Sequence, residues 1–339
     1  MSIDDFNAGK LFNINSLGYI NFKGKIAGTS FNLDKIKTNI EGNIDSVEFN
    51  KYTYTNVNTN GTLQKSAFNG TFRIKDPNIN FISNIELDFK NKTPRINAVG
   101  DLLSANLKQL NISNNPIQLT GLLDINFEGN DIDNFTGFAK FYNGKLKGTE
   151  AVVNFDSLAL ESTTKNGIKN IKFSSDDIQA SINGKFNILH LPASVQYFMQ
   201  RYFPTYIPAP KNTPANQQFS INIKTNYFEP YLRLFNKDIS GFKNLNVTGS
   251  INTDKQNIKL NASIPFASYK HGWADFAIKN GTIDGKGNID SLHLDIASTQ
   301  FNLTDSFNFI KPILHILGRF KFIVAPSLTG TTPNNGFAP

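Results

Sequence analysis

The sequence predicts an all-β protein made mainly of antiparallel strands. Three observations predict it. Apolar and polar residues alternate with a period of two through most of the chain, the periodicity of a strand with one apolar face. The polar partners are largely Asn, Ser and Thr, so only 18% of residues are charged and 39% are hydrophobic. The chain also holds 30 Phe and 10 Tyr among its 339 residues. That is too aromatic for a solvating, disordered chain and long enough for a sizeable core.

Taken in order, the first clear strand places Ile79, Phe81, Ile85, Leu87 and Phe89 on one parity, with Asn80, Asn84, Glu86 and Asp88 on the other. Ile117, Leu119, Leu123, Ile125 and Phe127 form the next. Ile178-Ala180-Ile182 leading to Phe186 and Ile188, Phe219-Ile221-Ile223, Leu245-Val247 and Ile258-Leu260-Ala262-Ile264 follow the same rule. Asn-Gly pairs tolerate the positive φ of tight hairpin turns. Strand breaks are therefore expected at Asn60-Gly61, Asn69-Gly70, Asn143-Gly144, Asn183-Gly184 and Asn280-Gly281. Gly70 and Gly184 also lead directly into Thr71-Phe72 and Lys185-Phe186, and would serve equally as strand starts. A degenerate repeat, Gly42 to Phe49, Asn154 to Leu160 and Gly287 to Leu294, has no fixed spacing, which excludes a regular solenoid. At roughly ten residues per strand and turn, the whole chain would give about 30 strands.

Two segments depart from alternation. Leu191 to Tyr206 reads as a short helix with Pro192 near its first turn. Pro204, Pro208, Pro210 and Pro214 then read as a stiff linker. Phe307, Ile310, Ile313, Leu314 and Leu317 have helical spacing, which places a second helix over Asp305–Leu317 despite Pro312. The Thr/Pro/Asn/Gly-rich end after Pro326 reads as disordered. The expected organisation is a β-rich segment over 1–190, a helix and Pro-rich linker over 191–216, a β-rich segment over 217–304, and a helix with a disordered tail over 305–339.

Signals for chemistry are few. With no cysteine, disulfides, thiolate metal sites and thiol nucleophiles are excluded. His190, His271, His293 and His315 are far apart and fit no metal-ligand spacing. Gly285-Lys286-Gly287-Asn288 lacks the third glycine of a phosphate loop and precedes a strand, so it reads as a turn. Asp131, Asp133, Asp176 and Asp177 do not follow the calcium-loop spacing. The net charge is +7, but the Lys residues stand singly, which argues against nucleic acid as a partner. No catalytic residue, metal or cofactor is expected. The remaining signal is the apolar face, with Ile79, Phe81, Ile85, Leu87, Phe89, Ile117, Leu119, Leu123, Ile125 and Phe127 as its candidate lining. Such a face closes against a second sheet in a sandwich or lines a groove in an open, curved sheet. Periodicity fits both.

From Tyr52 to Pro204 the chain resembles TamB-like proteins of the AsmA-like group, in particular the long versions of Bacteroidota. The resemblance rests on the order of short pieces. These run from Tyr54-Thr55-Asn56-Val57 through Phe68-Asn69-Gly70-Thr71-Phe72, Asp76-Pro77-Asn78-Ile79-Asn80-Phe81 and Ala105 to Ile112. They continue through Asp133 to Gly137, Asp156 to Leu160 and Gly184-Lys185-Phe186 to Tyr202-Phe203-Pro204. What the resemblance implies is an elongated, curved, mainly antiparallel sheet forming an open apolar groove, β-taco-like. It further implies a non-enzymatic, periplasm-spanning protein that acts in phospholipid transport between the inner and outer membranes or in outer-membrane protein assembly. Its expected partners are phospholipid acyl chains and an Omp85-type outer-membrane protein. The family's membrane anchor and partner-binding domain have no counterpart in the 339 residues, so the chain is expected to be a middle segment. The competing expectation is an extracellular β-sandwich adhesin or glycan-binding module.

Overall fold

A computed structural model describes residues 2–12, 16–28, 37–91, 93–129, 133–202, 207–271, 274–304 and 318–324. The chain divides into two compact units. The first comprises Met1–Thr163 with Lys172–Asp176 and Pro230–Lys237, and the second comprises Thr164–Ile171, Asp177–Glu229 and Asp238–Pro339.

In the first unit the strands are β1 (Ser2–Asn7), β2 (Leu17–Gly28), β3 (Lys37–Phe49), β4 (Tyr52–Gln64), β5 (Ala67–Asp76), β6 (Ile79–Asp88), β7 (Arg95–Asn106), β8 (Gln118–Gly129), β9 (Phe135–Lys147) and β10 (Val152–Lys165), with the short helix α1 (Ala8–Phe12) after β1. Each strand pairs antiparallel with the next, from β1–β2 to β9–β10. The unit is thus one meander, and its described residues form no second sheet. After β11 (Ile168–Ser175), the second unit contains β12 (Ile178–Lys185), α2 (Leu191–Tyr202), β13 (Gln218–Thr225), β14 (Ile239–Gly241), β15 (Asn246–Asn252), β16 (Asn257–His271), β17 (Ala274–Asn288), β18 (Leu292–Ser298), β19 (Gln300–Thr304) and β20 (Gly318–Val324), while the short helix α3 (Glu229–Arg233), between β13 and β14, belongs to the first unit from Pro230 on. Here the meander is interrupted. β13 skips β14 to pair with β15, and the long strands β16 and β17 each take two short partners end to end.

The all-β expectation holds, with corrections. The described residues hold twenty strands, against an expectation of about 30, because many strands run 12 to 15 residues. The five Asn-Gly pairs named above lie inside strands rather than at hairpin turns, whereas Asn166-Gly167 (φ 51° and 73°) does make the turn between β10 and β11. The tight turns fall at Asn50-Lys51 (φ 51° and 62°) and Lys65-Ser66 (φ 47° and 61°). Both central residues have positive φ, the geometry that matches the strand twist. The mid-strand glycines serve packing instead. Gly61 and Gly70 pair directly, and the Phe68 ring lies across them: a Cβ at Gly61 would stand 2.7 Å from the ring. Phe22 lies in the same way over the Gly24–Gly42 pair. Aromatic rings laid over strand glycines restore the packing that a missing side chain forfeits, and both Phe22 and Phe68 are buried.

The predicted helix is α2, and residues 203–206 lie outside the described residues. The segment 191–216 does not separate the two units but lies within the second. The helix expected over Asp305–Leu317 and the tail after residue 324 lie outside the described residues. Between them, β20 pairs antiparallel with β18, matching Phe320 to Ile296 and Phe322 to Leu294. Among the described residues no helix is long and apolar enough to cross a membrane.

Candidate functional site

In the first unit the register aligns apolar residues in rows that cross the strands. Phe68, Leu87, Ile96 and Phe127 form one row, and Ile85, Ala98, Ile125 and Ala139 the next. Leu123 sits between Gly100 and Phe141, Phe81 beside Leu102, and Ile79 beside Ala105 and then Leu119. Nine of the ten predicted lining residues thus lie on β6 and β8 or directly before β8, on one face, joined through β7. Phe89 follows β6, where its N–H donates to the Ser66 carbonyl at 3.0 Å. Ile117 and Leu123 are buried, while Ile79, Phe81, Ile85, Leu87, Phe89, Leu119, Ile125 and Phe127 are only half-buried. The core of two facing sheets would bury such residues. Here most of the face remains partly open.

One end of this face is covered. The connection from Leu107 to Ile117 leaves β7, and Leu110, 1% exposed, packs with Leu102 and Ala105. Tyr52, Tyr54, Ile79, Phe81 and Leu119 surround that cluster. The loop is pinned by a reciprocal amide clasp. Asn111 Nδ2 donates to the carbonyls of Asn50 and Lys51, both at 3.2 Å, and Asn50 Nδ2 donates to the Asn111 carbonyl at 3.2 Å. Sequence reading missed Tyr52, Tyr54 and Leu110. Asn56 has a left-handed φ of 53°, and on its N-terminal side Tyr52 and Tyr54 pack toward the Leu110 cluster.

Beside this cluster lies a buried carboxylate with its hydrogen-bond donors. Asp76 is 8% exposed. Its carboxylate accepts from Tyr52 Oη at 2.5 Å, Thr55 Oγ1 at 2.8 Å, the Thr55 N–H at 3.0 Å and the Asn78 N–H at 2.8 Å. Burial favours the neutral acid, but these donors outweigh it and hold the Asp76 carboxyl below its ordinary range. Burial first, and then the bond to Asp76, push the Tyr52 phenol up. The network ties the start of β4 to the β5–β6 hairpin.

The second unit repeats the apolar rows, for example Ala180, Ile223, Val247, Ala262, Ile283 and Ile296. There α2 provides the cover. Phe198, fully buried, packs with Phe186, Phe219 and Ile251. The turn into α2 begins where the Asn187 side chain accepts from the His190 N–H. On the opposite, polar face, a cavity of about 680 Å³ is lined by Asn246, Thr248, Asn261, Thr282, Asp284 and Asp295 among others, with no aromatic ring in its wall. His190 and His293 are exposed. Among the described residues no group of three or more His, Asp or Glu converges. Compared with known proteins, the chain matches no family model, no curated protein and no solved structure.

Proposed function

We propose that the half-open apolar face of the first unit binds phospholipid acyl chains, and that the chain is a non-enzymatic segment of a TamB-like envelope protein. On this reading the full-length protein is anchored in the inner membrane and spans the periplasm. It moves phospholipid between the membranes or assists outer-membrane protein assembly with an Omp85-type partner. One observation carries the proposal: rows of Phe, Ile and Leu cross β5 to β9 at partial exposure, and the described residues of the unit form no second sheet to pack on them. Each methylene that an acyl chain buries there is worth about 0.8 kcal/mol. The glycan-binding alternative draws on the polar cavity of the second unit, but that wall lacks an aromatic surface against which a sugar ring would stack.

The test is a photo-crosslinking side chain at Phe81, Leu87 or, on the polar face, Asn84, in cells producing the protein, followed by mass spectrometry of the adducts. Phospholipid adducts at Phe81 and Leu87 but not at Asn84 support the reading. Adducts confined to protein at all three positions sink it. A charge at Phe81 should abolish the lipid adduct while circular dichroism still reports a folded sheet.

A further inference from the structure

The outward face of the first unit is not uniform. On β4 and β5 its residues are Asn58, Asn60, Thr62, Asn69, Thr71, Arg73 and Lys75, all polar. On β6 to β8 the same face carries Ile82 (37% exposed), Val99 (60%), Leu103 (48%) and Leu122 (47%). Register places all four around one residue. Asp101 pairs with Ile82 on one side and Leu122 on the other, while Val99 and Leu103 stand two positions before and after it on β7. Tyr142 extends the row beyond Leu122.

A carboxylate ringed by apolar side chains is an unfavourable surface for a free protein. Adjacent strands lie about 4.8 Å apart and alternate residues about 6.8 Å apart. The ring is therefore the size of one long side chain. Among the described residues no hydrogen bond or ion pair reaches Asp101. Of the neighbouring cations on this face, Arg73 stands beside Ile82 on β5, two strands from Asp101 and in no ion pair with it, and Lys140 on β9 is paired at 3.1 Å with Glu161. In a chain of net charge +7, a carboxylate that no cation of the chain pairs with among the described residues is a local exception to the overall balance. Lys and Arg stems pack on apolar surface while their heads seek a carboxylate, and Arg is enriched at interface centres. Around the ring, Asn84, Asp124 and Asn126 give a polar rim, the usual boundary of a docking patch.

We propose that this face docks a protein segment that inserts one Arg or Lys side chain among Ile82, Val99, Leu103 and Leu122 to pair with Asp101. The site uses the face opposite to the apolar rows and does not depend on the lipid reading.

The test pans a phage-displayed library of short random peptides against the purified chain, with deselection against the chain carrying Asp101→Asn. Selected peptides are then measured by fluorescence anisotropy. The expected result is enrichment of Arg or Lys next to apolar residues. Binding should weaken about tenfold with Asp101→Asn, with Val99→Ser and with replacement of the peptide's basic residue, as for a close charge pair at an interface. Circular dichroism should stay unchanged. Failure to recover any Asp101-dependent peptide overturns the proposal. So does self-association in sedimentation that Leu122→Lys abolishes, which would assign the patch to a second copy. Co-sedimentation with anionic phospholipid vesicles that the same variants remove would assign it to a membrane surface and equally overturn it.

Discussion

In the first unit an irregular loop, Leu107 to Ile117, covers one end of the apolar face; in the second a helix, α2, does the same task. The two covers solve the same backbone problem differently. A helix satisfies its own N–H and C=O groups, so α2 needs only an apolar anchor, and Phe198 supplies it. A loop laid over apolar side chains must find partners elsewhere. The first unit supplies them as side-chain amides, Asn50 and Asn111, and keeps the polar network of Asp76 next to the cluster that Leu110 enters. One cover is anchored by a fully buried ring with Leu191 and Tyr197 packed beside it, the other by a smaller side chain with polar ties to β4. The second unit should therefore depend on one residue, and the first should respond to pH.

The largest effect is expected at Phe198. Phe198→Ala leaves a ring-sized void among Phe186, Phe219 and Ile251, at a cost of about 3–5 kcal/mol. In denaturant unfolding followed by hydrogen exchange, protection should fall in β12, β13 and β15 and persist in β4 to β8. Equal loss in both units would break the comparison. Leu110→Ala should cost about 3 kcal/mol and show the mirror pattern, with protection lost around Tyr52, Phe81 and Leu102.

Next in size is Asp76. The isosteric Asp76→Asn replaces an acceptor oxygen with an amide donor that faces Tyr52, Asn78 or Thr55. A loss of about 2 kcal/mol is expected at neutral pH. Because folding lowers the Asp76 pKa, its contribution is complete above the unfolded value of about 3.9 and disappears as pH falls through the lower folded value. An acid titration below about pH 4 should therefore destabilise β4 to β6 of the parent, and the variant should lack that part of the slope. Parallel acid curves for the two proteins would mean that the network does not hold the rim of the first unit.

Much of this was legible in the sequence. The strand parities of β6, β8, β13 and β16 follow from alternation alone, and Pro192 with its following residues marks α2. Other features were hidden for stated reasons. Lys65-Ser66 makes a turn with no Gly, Asn or Asp to announce it, while the mid-strand Asn-Gly pairs put glycine at close approaches, under the Phe68 ring at Gly61 and Gly70 and under the Phe155 ring at Gly144. The outward patch is masked by doublets: Phe81-Ile82, Ala98-Val99, Leu102-Leu103 and Leu122-Leu123 each place one apolar residue on either face. A one-residue register shift exchanges the two, so only the observed pairing tells which member is buried. A left-handed residue within a strand conceals the rest. Asn56 has positive φ, Tyr52 and Tyr54 on its N-terminal side pack toward the Leu110 cluster, and no spacing in the sequence reveals it.

The smallest effect concerns the amide clasp and most directly tests the difference between loop and helix. Asn111 has φ 58°, a left-handed conformation that Asn tolerates and Ala does not. Asn111→Gly removes the two bonds to the Asn50 and Lys51 carbonyls and keeps the backbone relaxed, so it should cost about 1 kcal/mol. Asn111→Ala removes the same bonds and adds a left-handed penalty of about 1 kcal/mol. Amide hydrogen exchange should show both losses as local opening of residues 107–117, with α2 unchanged, and with faster exchange in the Ala variant. Equal behaviour of the two variants would show that the loop gives up its left-handed turn without cost. If neither variant opens the loop, Leu110 alone holds it, and the two covers are then anchored in the same way, each by one buried apolar side chain.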